Sequence, residues 1–263
     1  MNHRGGWALI KATWASWLQY RSFFFVLAFG WMVPPLVSLF VWSAAAGAHT
    51  LAGLNRGEFI AYYLILILVN QLTYAQTNWT VGDVIRGGGL NIWLLRPLPP
   101  VYNVLCTEVA GKVVTMLFVL PVSLLLAVVL QPEIHTTPQA AGLGLLSLLL
   151  AWGLRFLWGY SLALLAFWST RADALLSLQD SLVFLLSGMV APVLLLPAGM
   201  QNAALALPFR YMVGFPVEVL LQQVTGPQLW AGLAWQAGWL LLSAASARAL
   251  WRLGLRRYSA IGG

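Results

Sequence analysis

Residues Val81–Asn103 read VGDVIRGGGLNIWLLRPLPPVYN, a weakly apolar stretch between hydrophobic runs that are each long enough to cross a bilayer. It holds Asp83, Arg86 and Arg96, three successive glycines (Gly87, Gly88, Gly89), and Pro97, Pro99 and Pro100. Two membrane helices need only a few residues to join them. A long connector that sets charges, turn residues and prolines among Leu90, Trp93 and Leu95 reads as a docking surface.

The rest of the chain is oily. Of its 263 residues, 60% are hydrophobic and 8% charged, against roughly 45–50% and about 25% in soluble domains. The chain is therefore expected to be an all-α polytopic membrane protein with a single integral domain over 1–263. One cysteine, Cys106, excludes an internal disulfide framework and a cysteine-rich metal site. The first apolar run is too long for a signal-peptide core, so it is expected to remain in the mature protein.

Six runs meet the roughly 20 apolar residues that a spanning helix needs. They are Ser22–Ala46, Phe59–Trp79, Val109–Leu130, Ala141–Trp168, Ala174–Leu196 and Leu229–Leu250. Positive charge orients them. With the N-terminus inside, eleven basic residues fall on the cytosolic side: Arg4, Lys11, Arg21, Arg86, Arg96, Lys112, Arg171, Arg248, Arg252, Arg256 and Arg257. Only Arg56 and Arg210 fall outside, and Arg155 lies within a span. Both termini are then cytosolic, in an inner cytoplasmic membrane. The net charge of +7 is explained by topology and anionic membrane lipid, with no nucleic acid required.

Two further segments have a characteristic pattern. Residues 1–21 interleave Trp7, Trp14 and Trp17 with His3, Arg4 and Lys11, as in a helix lying in the membrane interface. Residues 197–227 are mostly apolar yet broken by Pro208, Gly214 and Pro216. They predict short outer re-entrant helices near Met200–Leu207 and Pro216–Gln223, with their breaks buried in protein.

Signatures of catalysis are missing. The glycines Gly87–Gly89 are not followed by the Lys-Ser or Lys-Thr pair of a phosphate loop. His3, His49 and His135 are scattered without metal-ligand spacing, and no serine sits in a nucleophile elbow. The residues that invite a role are the intramembrane charges Arg155 and Asp180, since such groups face a bundle interior, a cavity or a partner. They either line a translocation path or fix helix packing, and a direct pair between them would need tilt or long reach. Trp42, Tyr62 and Tyr74 carry the same two readings, substrate stacking or packing. Glu58 and Glu108 are expected near span ends, within reach of water, and Gly142, Gly144, Gly153 and Gly159 are expected to allow close helix approach.

In this order, the features resemble the ABC-2 type permeases, the membrane subunits of certain ATP-driven exporters. The resemblance rests on the six spans, the interfacial N-terminal helix and the GGLNIWLLRP core of the connector. It also rests on AFWSTRADALLSLQDSLVFLLSGMVAPVLLLP at Ala166–Pro197, LPFRYMVGFPVEVL at Leu207–Leu220 and RRYSAIGG at Arg256–Gly263. It implies two separate ATP-binding cassette subunits carrying ATP and Mg2+, no cofactor in this chain, and a homodimer or a heterodimer with a related permease. It further implies that the connector, with Asp83, Arg86, Leu90, Trp93, Leu95 and Arg96, is the coupling helix that enters the ATPase. The cargo would be hydrophobic or amphipathic, such as a drug, a toxin or a lipid. Two other readings stay open on the residues: an intramembrane lipid-modifying enzyme and an ion-gradient-driven carrier.

Overall fold

The computed structural model describes residues 7–8, 10–12, 14–15, 21–47, 49–76 and 78–258. Among them the structure is helical, with no strand beyond an isolated bridge between Leu51 and Leu54. The long helices are α1 (Arg21–Ala46), α2 (Arg56–Thr73), then short α3 (Asn78–Arg86) and α4 (Leu90–Leu94), then α5 (Val101–Leu130) and α6 (Pro138–Leu164). They are followed by α7 (Ala172–Leu186), three short helices α8 (Ala198–Ala206), α9 (Phe209–Met212) and α10 (Gly214–Leu220), and long α11 (Gly226–Arg257). Most of the expected interfacial segment over 1–21 lies outside the described residues. The part that is described is helical, with Trp7 and Trp14 exposed.

Among the described residues, four stretches are long and apolar enough to cross a membrane: Phe25–Ala46, Arg56–Arg86, Val101–Leu130 and Pro138–Phe167. Local chemistry sets their ends. Asn55 caps α2 by accepting from the Glu58 N–H at 2.9 Å, while the Glu58 carboxylate accepts from the Asn55 N–H at 2.8 Å. This reciprocal box satisfies two backbone donors at once, so Glu58 is a cap rather than a residue reaching for water. Thr137 caps α6 just before Pro138, whose missing N–H costs nothing in the first turn.

Helix boundaries differ from the sequence expectation where tertiary contacts replace helical hydrogen bonds. The second expected span, Phe59–Trp79, stops at Thr73, and the chain restarts at Asn78. The third starts eight residues before the expected Val109, at Val101, because Pro99 and Pro100 open it. The fifth, expected over Ala174–Leu196, is a 15-residue helix that ends at Leu186. Beyond it, Gly188 adopts a φ of +94°, which a side chain would resist. The carbonyls freed by this break are satisfied from neighbouring helices. Tyr62 donates to Gly188 O at 3.2 Å, Tyr63 to Val190 O at 3.2 Å, and the Trp42 indole to Val190 O at 2.7 Å. Irregular backbone at membrane depth requires such partners.

The core follows from this arrangement. One apolar cluster joins α2, α6, α7 and α10 through Phe59, Tyr62, Leu154, Val183, Phe215 and Val217. A second gathers Val81, Ile85, Leu90, Ala163, Ala172 and Leu176. Helix α6 connects the two. A Cβ on Gly144 would lie 2.3 Å from Leu220 of α10, and one on Gly159 would lie 2.6 Å from Asn78 of α3. These fifteen positions correspond to about 22 Å of helix, so α8–α10 and the connector occupy opposite ends of the bundle. Gly142, also expected at a close approach, faces open space. Between α6 and α11, Gln236 donates to Ser147 O and Tyr211 O at 3.0 and 2.9 Å, a buried clamp that also holds α9.

The break after α7 is testable. Tyr62→Phe removes one membrane-buried hydrogen bond, roughly 0.6 kcal/mol on average and more where, as at Gly188, a carbonyl is left unpaired. Gly188→Ala adds a Cβ 2.2 Å from the Tyr62 hydroxyl and places a side chain at positive φ, costing at least about 2 kcal/mol. Thermal melts of the purified chain should show Gly188→Ala costing less in the Tyr62→Phe background than alone. Additive costs would refute the contact.

Candidate functional site

The connector is built from two short helices rather than one. Gly88, at a φ of +75°, ends α3, and Gly89 begins α4. Leu90 is 1% exposed and anchors α4 in the second apolar cluster. Trp93 packs against the same cluster and is half-buried. The tip is apolar and open: Leu95 is 87% exposed, Ile92 61% and Leu94 42%. Of the residues singled out from sequence, Leu95 is therefore at the surface, whereas Leu90 supports it from below. Ile92 and Leu94 were missed. Ile92 lies two positions from Leu90 and so turns away from the anchored face, but that Leu90 is the buried one is visible only in the fold.

Charged groups hold this tip to the bundle. The Arg86 guanidinium bonds Asp83 at 2.6 Å, Asp173 at 2.9 Å and the Thr170 carbonyl at 3.2 Å. Asp173 lies in the first turn of α7, so one arginine ties the connector to the start of a different helix. Arg96 donates to the Asn103 side chain at 2.7 Å, bridging the proline turn to α5. Asp83 and Arg96 are themselves exposed.

Behind the connector lies a polar network in the bundle interior. Arg155 is 3% exposed. Its Nη1 donates to Asn70 Oδ1 at 2.8 Å and Thr73 Oγ1 at 3.2 Å, and its guanidinium lies 4.9 Å from the centre of the Tyr74 ring. The Tyr74 hydroxyl makes a long 3.5 Å contact to Asp180 Oδ2, and Gln179 donates to Asp180 Oδ1 at 3.3 Å. The sequence left a direct Arg155–Asp180 pair in question. In the fold Tyr74 stands between them, and among the described residues they form no ion pair.

Lys112 extends the network by donating to the Tyr74 carbonyl and to Glu108, with its ion pair to Glu108 at 2.8 Å. Glu108 is 4% exposed, which corrects its expected place at a span end. Because α5 starts at Val101, Glu108 sits two turns inside the helix. Asn78, the first residue of α3, donates to the Phe156 carbonyl of α6 at 3.0 Å, in space that Gly159 leaves open.

The two parts meet at residues 73–78, where the end of α2 turns into α3. Tyr74 touches Arg155, Asp180 and Lys112 there, and a few residues on α3 carries the Arg86 clamp. Arg155 Nε, Asn78 Oδ1 and Gln179 Oε1 are buried without a partner among the described residues. Such groups retain hydrogen-bonding capacity, and this one junction gathers three of them. The other two aromatic candidates do not join the network. Trp42 and Tyr62 donate to the backbone that follows α7, at the far end of the bundle.

A family model described as ABC-2 family transporter protein matches residues 31–262 of the chain. No curated protein and no solved structure matches it.

The buried arginine sets a graded expectation. Arg155→Met leaves Asn70 and Thr73 facing an apolar side chain and should cost about 3 kcal/mol. Arg155→Lys keeps the charge but loses the planar stack on Tyr74, and its melting temperature should fall between Arg155→Met and wild type. Equal melting of Arg155→Met and wild type would show that the network does not support the fold.

Proposed function

Because the chain belongs to the ABC-2 family of transporters, and is thereby a multi-pass membrane permease subunit of an ABC transporter, we propose that it exports a hydrophobic or amphipathic cargo. The energy comes from ATP hydrolysed, with Mg2+, on two separate ATP-binding cassette subunits. Two permeases form the pathway, as a homodimer or with a related chain. Both termini lie on the cytosolic side of the inner membrane.

The observation that carries this reading is the connector tip. Ile92, Leu94 and Leu95 are exposed, while Leu90 and Trp93 hold the same short helix to the bundle. An apolar knob on a connector that is not itself a spanning helix calls for a protein cleft. Its mounting suits a mechanical input. Arg86 fixes one side to Asp173 and Thr170, Arg96 fixes the other to Asn103, and Pro97, Pro99 and Pro100 remove backbone freedom from the turn. A push on the tip then passes into α3, and through Asn78 and Tyr74 into α2, α6 and α7. A flexible linker would absorb such a push.

The cargo class follows from the same chemistry. The interior cations are engaged, Lys112 with the Glu108 carboxylate and Arg155 with the neutral Asn70, Thr73 and Tyr74 ring. Few are left for a highly charged molecule. Exposed Leu175, Leu178 and Leu185 on one face of α7 suit contact with lipid or a second permease.

Co-expression with a matching ATP-binding subunit tests the docking. Replacing both Ile92 and Leu95 with Glu puts charge at the centre of an apolar contact, and co-purification should fall at least about tenfold. Arg86→Gln should leave co-purification intact while lowering transport per ATP hydrolysed, because the links to Asp83, Asp173 and Thr170 are lost while the apolar tip is unchanged. Full co-purification of the double glutamate variant would remove the connector from the interface.

A further inference from the structure

At the end of the bundle opposite the connector, the three short helices α8–α10 and the start of α11 enclose a cavity of about 460 Å3. Its two halves differ in chemistry. Leu194, Leu205, Val224 and Trp235 form an apolar wall. On the other side lie Arg210 and Glu218, 8% and 5% exposed, paired to each other through the Arg210 Nη2, with Nε also 3.3 Å from Glu218 Oε1. Burial opposes the Arg210 charge, but the Glu218 carboxylate outweighs it, so the net shift in its pKa is upward. Gln223 and Gln228 complete the rim, and their side-chain amides make no hydrogen bond among the described residues.

A buried ion pair of this kind adds little stability over a well-packed apolar pair, so its position against a cavity requires another account. The pair presents a cation and an anion side by side with no net charge. That matches a ligand carrying the same two charges in the opposite order. The depth is set independently: Trp230 and Trp235 of α11 are 60% and 54% exposed, and exposed tryptophans collect at the headgroup level of a bilayer. The volume lies within the range of about 300–1,000 Å3 typical of small-molecule sites.

We propose that this cavity binds one zwitterionic phospholipid of the phosphatidylethanolamine type from the surrounding leaflet. The phosphate faces Arg210, the ammonium faces Glu218, and Gln223 and Gln228 donate to the phosphate and glycerol ester oxygens. An acyl chain runs along Leu194, Leu205 and Trp235. The site depends on neither the transported cargo nor the ATPase, and it stands apart from the connector and the Arg155 network.

Native mass spectrometry of the full chain, delipidated in a non-ionic detergent, tests it. Phosphatidylethanolamine, phosphatidylglycerol and diacylglycerol of identical acyl chains are titrated separately. One phosphatidylethanolamine should bind per chain, about tenfold tighter than phosphatidylglycerol, the difference expected of one charge-assisted hydrogen bond, and more than about tenfold tighter than diacylglycerol, which lacks both charges. Ala231→Trp puts a large side chain into the cavity while keeping both Arg210 and Glu218, and should erase the preference. Ala234→Trp, which faces the neighbouring groove of α11 and not this cavity, should retain it. Soluble glycerophosphoethanolamine, which leaves the apolar wall empty, should compete only at far higher concentration. Equal binding of all three lipids, or a preference that survives Ala231→Trp, overturns the proposal. Competition by the soluble headgroup at the lipid's own concentration would also overturn it, since the ligand would then be a free polar molecule.

Discussion

Where α7 stops at Leu186, the carbonyls of Gly188 and Val190 have no helix to bond into, and Tyr62, Tyr63 and the Trp42 indole supply the missing donors. In water such a break would cost little, because solvent would complete the hydrogen bonds. Inside a bilayer each unpaired group costs several kcal/mol, so a chain may leave helical geometry only where its neighbours are placed to receive it. Much of the architecture follows from this constraint. The donors come from α1 and α2, which must therefore pack beside the end of α7. Gly188 and Gly214 are small because the Tyr62 hydroxyl and the Ser187 carbonyl occupy the space a Cβ would need. The segment after the break can then fold back as α8, α9 and α10 instead of continuing across.

The same rule applies at the opposite end of the bundle. Helix α2 ends at Thr73, and the Lys112 ammonium donates to the Tyr74 carbonyl just beyond it. Arg155 covers the last turn of α2 by bonding Asn70 and Thr73. Lys112 of α5 thus completes a backbone hydrogen bond at the turn, Arg155 of α6 braces the side chains before it, and the Tyr74 hydroxyl reaches Asp180 of α7. An interruption held by hydrogen bonds to several helices is a place where those helices can shift together. Packed bundles shift between discrete arrangements more readily than they bend. The connector is attached to this junction through α3, so its apolar tip and the interior network are joined by one short helix.

Particular residues show how far the sequence could be read. The hydrophobic runs located the helices but not their starts: the runs expected from Val109 and Ala141 begin at Val101, after Pro99 and Pro100, and at Pro138. Arg155 and Asp180 stood out because charge inside a membrane is rare. Other features depended on partners remote in sequence. Glu108 looked like a residue at a span end until α5 proved to start at Val101. Leu90 and Ile92 are two apolar residues two positions apart, and nothing local says that the first is buried and the second exposed. Trp42 and Tyr62 could be read as a stacking surface or as packing, and only the fold shows their partners, more than one hundred residues away beyond α7.

Amino-acid order alone determined that this chain lives in a membrane, that it is helical, that residues 81–103 form a connector of unusual chemistry, and that it resembles ABC-2 permeases. These follow from quantities local to the chain: apolar run length, charge placement, and the positions of proline and glycine. Only the tertiary structure decided where helices stop within apolar runs, which face of the connector is open, and that Tyr74 stands between Arg155 and Asp180. The reason is physical. In a bilayer almost any apolar run can form a helix, so its end is set by whether another element supplies hydrogen bonds to the backbone that leaves it.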